Sequence, residues 1–269
     1  MSLDPRLLSS AVMLDFFKNH RRAALREQPL TDAQRAIIER NVPLLAALED
    51  ADRAELAGLV QIFLAEKSFE GCGGLELTDE MKVTIAAEAC SLLPHRETDV
   101  YPGVESILVY PGAYRVRAKR SLGSVVIEGD EERLGESWTR GAVVLAWDHV
   151  KADAARSNEH NVVLHEFAHQ LDGEDGAMDG SPDLGDRTRY ATWAEVLGDE
   201  FADLSKRLHD GRKPDIDPYG ATNPSEFFAV VTEMFFGKPT AMKGRHPELY
   251  EELASFYKQD PAARRRTPA

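Results

Sequence analysis

His165-Glu166-Phe167-Ala168-His169 constrains this chain more than any other stretch, because it asks for a helix that carries two imidazoles on one face. Val162, Val163 and Leu164 lead into it with no helix breaker. Residues four apart on a helix sit nearly above one another, so His165 and His169 are placed to hold one Zn²⁺, each at about 2.0–2.1 Å. Glu166, about 100° round the helix, is placed to take a proton from a water that the ion activates. The plainer reading is a surface helix with two solvated histidines, since a pattern with three fixed positions also arises by chance. The apolar flanks, Val162 to Leu164 with Phe167, Ala168 and Leu171, argue instead for a buried helix. A buried histidine pair beside a glutamate needs a reason, and the pattern points to the metal site of a zinc hydrolase.

Composition narrows the partners. At 269 residues the chain is long enough for one large domain or two modest ones. Its net charge of −14 argues against a nucleic-acid backbone as direct partner, because phosphate contacts need clustered Lys and Arg. Cys72 and Cys90 are too few for a disulfide framework, which suits a reducing cytoplasm. The apolar patch from Leu7 to Phe17 contains Asp15 and is followed by Lys18, so it is too short and too charged to span a bilayer and reads as an amphipathic helix.

Along the chain, helical spacing covers residues 5–27. A capping box at Thr31 to Gln34 opens a helix to about Arg40, and further helices are expected over Ala51–Lys67 and from Thr78 through Leu93. Gly71-Cys72-Gly73-Gly74 forces a turn between these two. Four short strands then read at Ile107–Tyr110, Tyr114–Arg117, Ser124–Glu128 and Ala142–Trp147. A small sheet whose edge strand lies across the motif helix would cradle an extended peptide. Beyond His169, the acidic run from Asp172 to Asp183 reads as a solvated loop without EF-hand spacing. Helices follow over Thr192–Leu208, Asn223–Phe236 and Leu249–Tyr257, before a basic, disordered tail at Arg264 to Arg266. The fold class expected is α+β, predominantly helical, with a small mixed sheet beside the motif helix. The division expected is a helical scaffold over 1–98, a catalytic region over 99–258 and a tail over 259–269.

Zn²⁺ in a hydrolase takes three protein ligands and keeps one open position, so the motif is one ligand short. Asp175 has the spacing of one zinc-protease pattern, but Asp172 stands where that pattern requires Gly. Glu195 and Asp199 form the Glu-x-x-x-Asp pair of another. Glu226 opens a later helix, yet with Asn223 at the N-cap and Pro224 at N1 it stands where a glutamate serves as a helix cap. Spacing alone leaves Glu195 and Glu226 level.

His165 to Asp172 (HEFAHQLD), taken with Tyr219 to Ala229 (YGATNPSEFFA), resembles the Mlc titration factor A family of zinc metallopeptidases. The catalytic region of that family is similar to the protease domain of anthrax lethal factor. The likeness extends to Phe63–Lys67, Gly73–Glu80 and Ala142–Trp147, and so covers most of residues 55–258. It implies a zincin-like catalytic region with Zn²⁺ on His165, His169 and Glu226, Glu166 as general base and Tyr219 as a stabiliser of the oxyanion. Asp172 and Glu233 are candidates to orient the ligand imidazoles through Nδ1–H, with plain packing as the alternative for each. The resemblance implies a cytosolic peptidase acting on a peptide or protein. It also implies a rival function, capture of a transcriptional repressor, with or without peptidase activity.

Overall fold

The computed structural model describes residues 17–97, 99–112, 114–122, 125–133, 135–138, 141–156 and 160–264. Most of the first expected helix lies outside them, as do Arg265 and Arg266 of the tail. The described part opens with helix α1 over 17–26. Then α2 (Asp32–Asn41) begins at the predicted capping box: Thr31 accepts from the Gln34 backbone N–H, and the Gln34 side chain accepts from the Thr31 N–H. Next come α3 (Asp50–Glu66) and the short strand β1 (Ser68–Gly71). Gly73 and Gly74, at φ +60° and +82°, make the turn that follows it. Helix α4 (Asp79–Cys90), capped by Thr78, leads through a loop that buries Leu92, Leu93, Val100, Tyr101 and Val104 to β2 (Ser106–Tyr110).

The sheet carries the order β1-β2-β6-β5, where β6 is Ala142–Ala146 and β5 is Gly135–Trp138. β1, β2 and β6 run parallel in the register Phe69↔Ile107↔Val143, and β5 pairs with β6 antiparallel. The expected small mixed sheet is present. Two of the four expected strands, β3 (Tyr114–Leu122) and β4 (Val125–Arg133), pair with each other in a separate antiparallel ribbon. Ala142 to Ala146 is the near-continuous apolar run of a strand covered on both faces. The expected strand there stops one residue early, because Trp147 starts helix α5 (Trp147–Arg156).

Helix α6 (Val162–Asp172) carries the histidine motif and packs against α8 (Pro224–Gly237), with β5, at the edge of the sheet, and α4 also alongside. Its inward side chains, Val163, Leu164, Phe167, Ala168 and Leu171, are all buried. Phe167 meets Tyr101 edge-on at 4.6 Å and Phe63 at 5.6 Å between ring centroids. Tyr101 is held in place against backbone strain: it and Val100 adopt φ of 55° and 52°, a region that costs residues with a Cβ about 1–3 kcal/mol. Two groups hold this turn. The Tyr101 hydroxyl donates to Ala89 O at 2.6 Å, and the Lys67 ammonium donates to Tyr101 O and Val104 O at 2.7 and 2.8 Å. The fold is completed by α7 (Tyr190–His209), α9 (Pro239–Arg245) and α10 (Pro247–Tyr257).

Phe167 points into the core and away from any polar chemistry, so Phe167→Ala should lower stability in a urea titration by about 3–5 kcal/mol. A loss below about 1 kcal/mol would show that the aromatic contact does not support α6.

Candidate metal centre

The N-terminus of α6 is fixed by polar groups from four directions. Asn161 is its N-cap, its side-chain oxygen accepting from Leu164 N–H at 2.9 Å. The Asn161 amide nitrogen donates to Glu88 at 2.9 Å, and its backbone N–H donates to Glu233 at 2.6 Å. Asp153 accepts from Val162 N–H at 3.0 Å. One turn on, the rings of His165 and His169 lie edge to face with centroids 4.9 Å apart. Glu166 between them is buried, at 5% exposure.

Helix α8 brings the third group. Asn223 caps it by accepting from Glu226 N–H at 3.0 Å, the bond a helix cap requires. The Glu226 carboxylate itself turns to the histidines: Oε2 is 3.0 Å from His165 Nε2 and 3.3 Å from His169 Nε2. Among the described residues these three form the group of His, Cys, Asp and Glu side chains that could hold a metal ion, with all their donor atoms within 4.8 Å of one another. Tetrahedral coordination at about 2.0–2.1 Å sets neighbouring donors about 3.3–3.4 Å apart. The separations found, and the N, N, O donor set, fit Zn²⁺.

The outer nitrogens support that fit. His165 Nδ1 faces the Glu233 carboxylate at 2.8 Å and so donates to it. His169 Nδ1 lies 3.0 Å from Ser225 Oγ, whose own proton goes to Asp172 at 2.7 Å, so the imidazole donates there. Both rings thereby turn an Nε2 lone pair inward once the inner proton is lost. Asp172, fully buried, also accepts from Gly180 N–H through both oxygens, at 2.9 and 3.0 Å. The acidic run is thus not wholly a solvated loop, since its first residue is built into the core. Gly180 sits at φ +81°, and a Cβ there would come within 2.4 Å of Pro224 O. A larger residue would push the loop off Asp172.

Tyr219, exposed at 55%, stands at the open side with its ring 5.9 Å from that of His165. Asp217 holds its backbone N–H at 2.8 Å, and His160 lies 3.3 Å from Asp217 and 3.9 Å from Glu233. The structure gathers His165, Glu166, His169, Glu226 and Tyr219 in one place, with Glu233 and Asp172 behind. It does not bring the other candidates there. Glu195 and Asp199 line an acidic groove with Glu248 and Glu251, and Asp175 accepts from Ala177 N–H in its own turn. Sequence reasoning missed Ser225, Asn161, Glu88 and His160. Asn161 left a signal, an Asn just before an apolar helical run; Ser225 left none.

Electrostatically the centre is an ion pair. Burial, the largest influence on His165, opposes its charge, but hydrogen bonds to Glu226 and Glu233 outweigh it and hold the imidazole well above its usual range. Burial likewise opposes charge on Glu226, and the two histidines overcome it and hold that carboxyl low. For the metal-free protein the signs follow from linkage. The raised histidine contributes stability fully below about pH 6.5 and loses it as pH rises through the folded pKa; the depressed glutamate contributes above about pH 4.5 and loses it as pH falls. Metal-free protein should therefore draw most from this pair between those values, and Glu226→Gln should flatten both limbs of the stability profile followed by thermal unfolding. A profile of unchanged shape would show that the pair is not charged.

A family profile described as glucose-regulated metallo-peptidase M90 matches residues 16–258. The chain is 44% identical over 244 residues to the uncharacterized protein slr2042 of Synechocystis sp., covering 90% of this chain and 89% of that protein. It is also 32% identical over 231 residues to proteins named Mlc titration factor A from Yersinia pestis and Yersinia pseudotuberculosis, covering 83% of this chain and 84% of theirs.

Proposed function

The chain belongs to the glucose-regulated metallo-peptidase M90 family, and we propose that it is a zinc-dependent peptidase whose ion is held by His165, His169 and Glu226. The observation that carries this reading is the meeting of three ligand-type atoms, two on α6 and one on α8, with Glu166 buried between the two histidines. When bound, Zn²⁺ supplies a Lewis acid that makes water a usable nucleophile near neutral pH.

This chain's residues do the rest. Glu166 takes the proton of the attacking water and later delivers it to the leaving amine nitrogen. Tyr219, on the open side beside His165, donates its hydroxyl to the oxygen of the scissile carbonyl as charge builds there. Glu233 and Ser225 keep each imidazole in the Nδ1–H tautomer, and Asp172 holds Ser225 in turn. An extended substrate adds to β5, the edge strand beside α6. Two free cysteines, Cys72 and Cys90, support a cytoplasmic setting, and no helix among the described residues is long and apolar enough to cross a membrane.

The Yersinia relatives' name favours a second function on the same scaffold, capture of a transcriptional repressor. Glu166→Gln separates the two. It keeps shape but cannot accept the water's proton, so peptide cleavage should collapse with zinc still bound, and partner capture should survive. Tyr219→Phe should lower kcat by about 10²–10³ at unchanged zinc content. Cleavage that persists in Glu166→Gln would overturn the general-base assignment, and an unchanged kcat would leave Tyr219 a packing residue. Ligand identity has its own test. Glu226→Gln should weaken zinc binding sharply while Glu195→Gln leaves it intact, and the reverse order would move the third ligand to α7.

A further inference from the structure

Glu88 lies in the apolar run of α4, at 1% exposure, and nothing in the proposed chemistry uses it. Its Oε1 accepts from Asn161 Nδ2, while Oε2 is buried with no hydrogen-bond partner among the described residues. Burial pushes this carboxyl up to about 8, against the hydrogen bond from Asn161 and with help from the charge of Asp153. A buried carboxyl with one idle oxygen is an expensive way to fill a helix face, since an apolar side chain of similar size would serve packing at least as well. What Glu88 supplies that an apolar side chain cannot is an acceptor for Asn161.

That acceptor reaches the candidate centre in two further bonds. A side-chain amide has two ends of nearly equal shape, and only its oxygen can accept from Leu164 N–H to cap α6. An acceptor facing Nδ2 fixes which end points where. With the amide fixed, the Asn161 backbone N–H stays on Glu233 Oε2 at 2.6 Å, and Glu233 Oε1 meets His165 Nδ1 at 2.8 Å. Four residues from three helices and one cap thus run in an unbroken line from the core of α4 to a proposed metal ligand.

We propose that Glu88 is a positioning residue for the metal centre, which sets the plane of the His165 ring by holding Asn161, and through Asn161 the carboxylate of Glu233. The proposal rests on the reading of His165 as a ligand. Zn²⁺ affinity of the full chain, measured by competition with a chromophoric chelator, tests both on different samples. Glu88→Gln retains the acceptor and should bind Zn²⁺ within about two-fold of wild type, whereas Glu88→Met should bind about 10–100-fold more weakly. The metal-free Glu88→Met protein should melt no lower than wild type, which separates positioning from packing. Should Glu88→Met fail to fold, Asn161→Ser keeps a good helix cap and the backbone N–H but removes Nδ2, and should show the same loss. Wild-type affinity in Glu88→Met or Asn161→Ser would overturn the proposal, as would a loss in Glu88→Gln equal to that in Glu88→Met. Wild-type protein that binds no Zn²⁺ would overturn the ligand reading itself, and this proposal with it.

Discussion

Two imidazoles and a carboxylate lie together where α6 packs on α8, and burying any one of them alone would be costly. Held as a group they offset one another: Glu226 faces both Nε2 atoms, and each Nδ1 has its own acceptor behind it. Much of the surrounding structure serves that arrangement. Asn161 and Asn223 cap the two helices about one turn before His165 and Glu226, which fixes where α6 and α8 start and so how they meet. Phe63 and Tyr101 press on Phe167 from the opposite side of α6. The strained turn at Val100 and Tyr101 is tolerated because Lys67 anchors it.

The polar shell is asymmetric, and the asymmetry bears on function. His165 has a carboxylate directly behind it, whereas His169 reaches Asp172 only through the Ser225 hydroxyl. A carboxylate on Nδ1–H makes an imidazole the stronger donor to a metal, and a hydroxyl does so less. The side of His165 is also the side of Tyr219, where the centre opens to solvent. The imidazole with the direct carboxylate behind it is thus also the one beside the exposed tyrosine.

What could be read from the sequence was local. The capping box of α2, the caps Thr78 and Asn223 of α4 and α8, and the apolar periodicities of these helices and of α3 and α7 lie within a few residues of one another, and the i, i+4 histidines need only a helix to share a face. Long-range pairing was not legible. Strand β1 is four residues with an alternating half-buried pattern, and only its parallel partner β2 makes it a strand. Spacing could not choose Glu226 over Glu195, because 57 residues separate His169 from Glu226 and the choice depends on which helix packs on α6; resemblance made that choice. The burial of Asp172 was not legible for a similar reason. It begins an acidic, Gly-rich run, and its buried partners, Gly180 and Ser225, come from a turn and a helix that local composition does not join to it. Glu88, a charge inside an apolar helix, gave no signal in the sequence, because its partner becomes visible only with α6 in place.

The proposed chemistry depends on one ion sitting among His165, His169 and Glu226. A crystal of zinc-loaded protein, with anomalous difference maps recorded on both sides of the zinc absorption edge, would locate it directly. The predicted result is a single strong peak about 2.0–2.2 Å from both Nε2 atoms and from the Glu226 carboxylate. A peak held by Glu195 or Asp199 on α7, or no peak beside the two histidines at full zinc loading, would contradict it.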